Sequence, residues 1–216
     1  IAGLNNGVLS GDITPVCCCA AQPNIGVYTL MNNLINYMPS ADMVKAPKAI
    51  NPKTGDAVEV KQDGKFAGQV VKTVVDQFGK YSVIKVYSGV LSLESSLYNT
   101  REEKAKKVTG MDKLIAGDIG VLSKLQFTAT GDTLCDASAP VQFEEIDFPK
   151  PCISLAVSAK KQGEEDKVFA GLNKLLEEDP TMAMEKNVET GDVLICGLGE
   201  VHLDVLCAKL KNKSGV

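Results

Sequence analysis

The chain of 216 residues has no tryptophan, a single histidine and only 5% aromatic residues. One histidine removes most zinc sites and many acid–base constellations built on imidazole. Its seven cysteines include no C-x-x-C pair, and an odd count fits neither a disulfide framework nor a zinc knuckle. Three of them, Cys17, Cys18 and Cys19, are adjacent, and neighbouring residues of a strand point to opposite faces, so all three do not turn to one metal. Reduced, partly buried thiols are expected instead. No window holds the roughly 18 apolar residues that a spanning helix needs, and the start does not read as a signal peptide. A soluble, cytoplasmic protein is therefore expected. Two motifs are also missing: a G-x-x-x-x-G-K-[S/T] loop to cradle phosphates and an Asn-Lys-x-Asp to read guanine.

Charge of one sign is scarce as well. The net charge is −4, spread evenly: five basic and five acidic residues in 1–65, nine and eleven in 66–148, nine and eleven in 149–216. A protein that lives by phosphate contacts usually carries a basic excess, so composition argues mildly against nucleic acid as a partner. A few local contacts would escape that argument. What is present, 44% apolar and 23% charged residues, suits a globular chain long enough for one large or two small domains.

Pattern divides the chain into four. In residues 1–40, Ile13 to Cys19 reads as a buried strand, Asn24 stands where a helix cap belongs, and Val27, Leu30, Met31, Leu34 and Met38 form a helical apolar face that Pro39 stops. One strand and one helix make no core, so this segment is expected to be the tail of an α/β domain. Residues 41–65 are rich in Pro, Lys, Asp and Gly and read as a linker. Residues 66–148 hold six short apolar runs, Phe66 to Asp76, Lys80 to Val90, Ser96 to Asn99, Asp118 to Gln126, Thr133 to Cys135 and Val141 to Ile146, separated by glycine turns. Many short strands without a helix predict a closed β-barrel. Residues 149–216 change period. Ile153, Leu155 and Val157 alternate as a strand, and Val168, Phe169, Leu172, Leu175 and Leu176 form a helical face. Met182 to Glu185 and Val193 to Cys196 make two strands, and Val201, Leu203, Leu206 and Leu210 line a last helix. The order βαββα is that of an α+β ferredoxin-like domain that stops before its fourth strand, so the whole is expected to be mixed and multidomain.

Three segments of the last domain are distinctive: Pro149-Lys150-Pro151-Cys152-Ile153-Ser154-Leu155-Ala156, then Leu176-Glu177-Glu178-Asp179-Pro180-Thr181, then Gly197-Leu198-Gly199-Glu200-Val201-His202-Leu203-Asp204. Together they resemble the third domain of ribosomal translocases of the elongation factor G type. Val86-Tyr87-Ser88-Gly89, Ala116-Gly117-Asp118-Ile119-Gly120 and Thr130-Gly131-Asp132-Thr133-Leu134 are similar to that family's barrel domain. Ile13-Thr14-Pro15-Val16 and Asn24-Ile25-Gly26-Val27 look like the last strand and helix of its GTPase domain. Nearly the whole chain is covered, in the family's order.

The resemblance implies a ribosome-stimulated GTPase that uses GTP and Mg2+ and moves tRNA and mRNA through the ribosome. It touches small-subunit rRNA and ribosomal proteins, with neither DNA nor a membrane as partner. This stretch would serve docking and interdomain coupling, and alone it should bind no cofactor and hydrolyse nothing. Residues Ala20, Ala21 and Gln22 align with the family's fifth GTPase motif, in which a backbone amide meets the guanine oxygen. Alanine keeps that amide and loses only a hydroxyl. A second departure is the stretch Lys104 to Leu114, which is shorter than the family's pattern, as if a barrel strand and a basic loop were omitted. On this resemblance the chain is also expected to start inside one domain and stop inside another. Asp76-Gln77-Phe78-Gly79 spells the magnesium-side D-x-x-G, but it lies in a turn with no phosphate loop ahead of it.

Glu200 and His202 are two apart at a helix start and need not face each other, and no nucleophile or metal partner is in sight, so acid–base catalysis is not expected. A capping role for Glu200 and a partly buried, hydrogen-bonded His202 are expected, and the resemblance places both at an interdomain position. Gly197-x-Gly199 before a helix is a weak phosphate signal, which Glu200 opposes with its own charge. A ribosomal protection or recycling relative, a ribosome-binding relative without GTPase activity, and a cysteine-based protein remain as rivals.

Overall fold

The computed structural model describes residues 2–76, 78–93, 95–108, 113–159 and 163–215. Its contacts divide the chain into two compact units, Ile1–Ala46 and Pro47–Val216. The first unit holds helices α1 (Ala2–Ser10) and α2 (Val27–Tyr37). Helix α1 is unexpected from the sequence. The segment Ile13 to Cys19 is not the buried strand its apolar residues suggest: it joins no ladder among the described residues, and Val16 is 87% exposed. A run of β-branched residues becomes a strand only when a neighbour pairs with it. Nor does Asn24 cap α2. The cap is Gly26, at φ 74°, while Asn24 takes φ 57° inside a tight turn. A Cβ on Gly26 would lie 2.8 Å from the Cys18 carbonyl oxygen, so the turn needs glycine there. No residue of α2 is buried, although its apolar stripe is real.

The second unit begins with two short strands, β1 (Ala49–Ile50) and β2 (Ala57–Val58), in the region that reads as linker. Next come β3 (Ala67–Val75), β4 (Lys80–Ser88), β5 (Val90–Leu91), β6 (Ser96–Asn99), β7 (Lys104–Lys107), β8 (Leu114–Ile115), β9 (Ile119–Ser123), β10 (Thr133–Asp136) and β11 (Gln142–Phe143). Six of these form an antiparallel sheet in the order β7-β6-β10-β3-β4-β9. Strand β4 shows the period-two logic: Ser82, Ile84, Val86 and Ser88 face inward and their neighbours do not. The inner face gathers Phe66, Val70, Ile84, Val86, Leu91, Leu97, Leu122 and Leu134 into one core. A register shift between Val70 and Lys72 adds the bend that lets the sheet wrap around it.

In its backbone pairing the described sheet is a curled half-barrel with β7 and β9 as its edges, not the closed barrel expected. The Lys106 ammonium bridges toward the far edge, donating to the Lys124 carbonyl just past β9. The stretch that reads as short of a strand supplies two: β7 pairs with β6, and β8 pairs with β5. The region 41–65 contributes to a third small sheet, β11-β1-β2, in which Ala49 is buried.

The remainder is β12 (Ile153–Val157), α3 (Glu165–Glu178), β13 (Ala183–Lys186), β14 (Val193–Gly197) and α4 (Glu200–Ser214), the βαββα order read from the sequence. Its antiparallel sheet runs β12-β14-β13. Val168, Leu172 and Leu175 of α3 meet Leu203, Leu206 and Leu210 of α4 over Ile195 of β14. Helix α3 carries Glu165 and Asp166 in its first turn and α4 carries Lys211 and Lys213 in its last, each where the helix dipole favours that sign. Val201, assigned to the apolar face of α4 by spacing, is 76% exposed.

Candidate functional site

The distinctive motifs of the βαββα domain meet in space. Helix α3 ends at Asp179, whose amide still bonds to the Leu175 carbonyl while its backbone turns extended. Pro180 follows and cannot continue the helix. The Asp179 side chain then folds onto the next turn, with Oδ1 accepting from the Thr181 amide at 2.9 Å and its hydroxyl at 2.6 Å. The other oxygen, Oδ2, lies 3.0 Å from His202 Nε2. On the far side of the ring, the Leu198 amide donates to Nδ1 at 3.1 Å. Because Nδ1 accepts, the proton sits on Nε2 and points at the carboxylate. Burial pushes the Asp179 carboxyl up, but bonds from Thr181 and then His202 outweigh it and hold it below the usual range.

Gly197 makes room for this bond. A Cβ there would come within 2.8 Å of Leu203 Cδ2 and 3.2 Å of His202 Nδ1. Gly199, in contrast, has open space around it. The turn is tied to the strand motif as well, since the Cys152 amide donates to the Gly197 carbonyl at 2.9 Å and the Cys152 thiol to the Leu198 carbonyl at 3.0 Å. His202 is thus half-buried and hydrogen-bonded, as expected. Glu200 is exposed, makes no side-chain cap, and contributes only its charge to the first turn of α4. The geometry brings His202 to Asp179, not to Glu200. Sequence spacing shows both motifs but not their meeting.

The same helix ends touch the half-barrel. The β3–β4 turn is shaped by Asp76, whose Oδ1 accepts from the amides of Phe78 (2.7 Å) and Gly79 (3.1 Å). Its carboxylate is committed to its own turn, which accounts for the D-x-x-G spelling without a metal. Beside it, the Val75 amide donates to Glu178 Oε1 at 2.7 Å, and the Lys80 ammonium pairs with Glu177 at 2.9 Å. A cavity of about 120 Å³ lies here, lined by Lys72, Leu175, Glu178, Asp179, Met182 and His202 among others.

A second polar centre explains the Thr130-Gly131-Asp132-Thr133 motif. Asp132 Oδ2 accepts from Asn99 Nδ2 at 2.7 Å, the Ala129 amide at 2.8 Å and Arg101 Nη2 at 3.0 Å, while Oδ1 accepts from Arg101 Nε at 2.6 Å. Asn99 is fully buried, and its Oδ1 accepts from the amides of Arg101 and Glu102. The hydrogen bond to Asp132, helped by the charges of Asp132 and Glu102 and opposed by burial, raises the Arg101 guanidinium above its ordinary value. This centre knits β6 to β10. Sequence reading finds the motif but misses Asn99 and Arg101, which lie about thirty residues earlier.

In the first unit, Ala20, Ala21 and Gln22 sit exposed in the turn that leads to α2. Ala20 and Ile25 exchange both backbone bonds, at 2.9 and 3.0 Å, and the Ala21 carbonyl accepts from Asn24 at 3.1 Å. With the Ala20 amide committed, and no charged side chain among the three, these residues do not fit a complete site for GTP and magnesium. Among the described residues no group of three or more His, Cys, Asp or Glu is placed to hold a metal, and no helix is long and apolar enough to cross a membrane.

A curled barrel-like sheet is thus followed by a βαββα domain whose E-D-P-T helix end is bonded to the G-x-G-E-x-H-L-D turn. The family description "Elongation Factor G, domain III" matches residues 148–216. Elongation factor G of Chlamydia trachomatis serovar D is 36% identical over 217 residues, covering 94% of this chain and 31% of that protein, and the serovar A protein gives the same figures. Residues 148–216 belong by that match to the third domain of the elongation factor G family, and the chain spans about a third of the length of these relatives. A crystal structure of a protein from Thermus thermophilus shares the fold, with a TM-score of 0.75 at 24% identity over 98% of this chain and 32% of that one.

Proposed function

We propose that the chain is a stretch of a translational GTPase that promotes movement of tRNA and mRNA through the ribosome in the cytoplasm. In this reading residues 1–40 are the end of the GTPase domain, 41–65 a connection, 66–148 the barrel domain and 149–216 the third domain. The observation that carries it is the likeness to elongation factor G across 94% of the chain, in one colinear match. These 216 residues carry no phosphate loop, so in this reading GTP and magnesium are bound elsewhere in a longer protein. The part played by these residues is mechanical. The half-barrel rests on small-subunit rRNA and ribosomal proteins, and the βαββα domain carries the nucleotide state onward through a turn that His202 holds and Glu200 opens. Such a relay is a coupling free energy between two sites. GTP turnover by the longer protein, with and without ribosomes, tests the reading. Strong ribosome stimulation supports it. Ribosome binding with flat turnover favours a relative without GTPase activity.

A further inference from the structure

Glu178 stands out among the charged residues because it serves three elements at once. Its Oε1 accepts from the Val75 amide at the end of β3 at 2.7 Å and from Lys213 Nζ in the last turn of α4 at 2.8 Å. Lys213 Nζ also donates to the Val75 carbonyl at 3.0 Å. Three groups, 35 to 138 residues apart in sequence, thereby close a ring at a single residue, Val75, of the β3–β4 hairpin. The Glu178 side chain is only 15% exposed, which shields its bond to the Val75 amide from competing water, whereas Lys213 is 45% exposed and its pairing with Glu178 is open to solvent. Lys80 of the same hairpin, 16% exposed, bonds to Glu177 of α3 at 2.9 Å and so repeats the link one residue away.

We propose that Glu178 is a positioning residue that latches the βαββα domain onto the tip of the β3–β4 hairpin and fixes the angle between the two parts. The geometry gives the latch its means of control. Glu178 is the last residue of α3, and its neighbour Asp179 is the group that holds His202 and the Gly197–His202 turn. A shift of that turn pulls on Asp179, and the adjacent carboxylate must follow or release Val75. One helix end thus connects the hairpin of the half-barrel to the glycine turn of the next domain.

The test is amide exchange by mass spectrometry on the full 216-residue chain, together with small-angle scattering. Compared are the unaltered protein, Glu178→Ala, Glu178→Gln, Lys213→Ala and the exposed control Glu185→Ala. A charge-assisted bond of ordinary strength predicts that Glu178→Ala speeds exchange in the peptide around Val75 about tenfold or more. The distance distribution should broaden, while exchange in β14 stays unchanged. Glu178→Gln, which keeps an acceptor for Val75 and loses only the charge toward Lys213, should give a smaller effect close to that of Lys213→Ala. Glu185→Ala should change nothing. Unchanged exchange at Val75 and unchanged scattering in Glu178→Ala would overturn the proposal. Loss of protection spreading equally to β14 would overturn it too, because Glu178 would then prop the domain rather than join it.

Discussion

Asp132 offers the sharpest energetic test of how the half-barrel is held together. Its carboxylate is nearly buried, with a side-chain exposure of 5%, and it satisfies four donors. Three of them, from Asn99, Ala129 and Arg101 Nη2, converge on Oδ2, and Arg101 Nε alone meets Oδ1. Asp132→Ala removes every acceptor and strands the buried Asn99 amide and the Ala129 amide, so it should cost about 3–5 kcal/mol. Asp132→Asn can place its single oxygen at the Oδ2 position and keep three donors satisfied. Its NH2 then opposes only Arg101 Nε, and Arg101, half exposed, can swing into water. That variant should cost about 1–2 kcal/mol. Arg101→Ala, which leaves a buried charge with neutral donors only, should fall between the two. Urea unfolding followed by far-UV circular dichroism reads all three. Equal losses for Asp132→Ala and Asp132→Asn would refute the counting of donors, and losses below about 0.5 kcal/mol throughout would show that the centre holds nothing together.

His202→Ala and Asp179→Ala should each destabilise by about 1–3 kcal/mol, and a double-mutant cycle in urea should show coupling near 1 kcal/mol; additive effects would mean the bond is not formed in solution. Because the Asp179 carboxyl is depressed in the fold, its contribution is fully present above the unfolded value near 3.9 and is lost as pH falls through the lower folded value. Urea midpoints should therefore drop below about pH 4, and Asp179→Asn should flatten part of that drop; Asp136, depressed by bonds from Ser138, supplies a further part. Gly89→Ala places a Cβ 2.6 Å from the Phe66 amide nitrogen at φ 68° and should cost more than about 3 kcal/mol, whereas Gly55→Ala, at φ 77° with open space, should cost about 1 kcal/mol in the same assay.

Which features the sequence discloses follows from how local their causes are. The βαββα order is legible because Val168, Leu172 and Leu175 repeat at helical spacing while Ile153, Leu155 and Val157 alternate as a strand does. Helix α1 is not, since Ala-Gly-Leu-Asn-Asn-Gly-Val-Leu-Ser carries two glycines, two asparagines and no clear stripe. Strands β1 and β2 are two residues each and exist because β11 pairs with β1 from more than eighty residues away, a contact no local pattern carries. Ile13 to Cys19 errs the other way, with strand-like residues and no partner. The site divides similarly. Each motif is visible by its spelling, but the bond between His202 and Asp179, like that between Arg101 and Asp132, is a product of tertiary packing. The capping expected of Glu200 fails because a helix that begins after an extended glycine, with His202 already satisfying the Leu198 amide, leaves its side chain no inward donor to meet.

Whether these residues belong to a factor that moves tRNA and mRNA, as proposed, is decided on ribosomes. The longer protein carrying this stretch is added with GTP to ribosomes holding peptidyl-tRNA before translocation, and transfer of the peptide to puromycin is followed in time. Rapid, GTP-dependent puromycin reactivity is the expected result. Ribosome-stimulated GTP hydrolysis without any gain in puromycin reactivity would rule out translocation and point to a protection or recycling role.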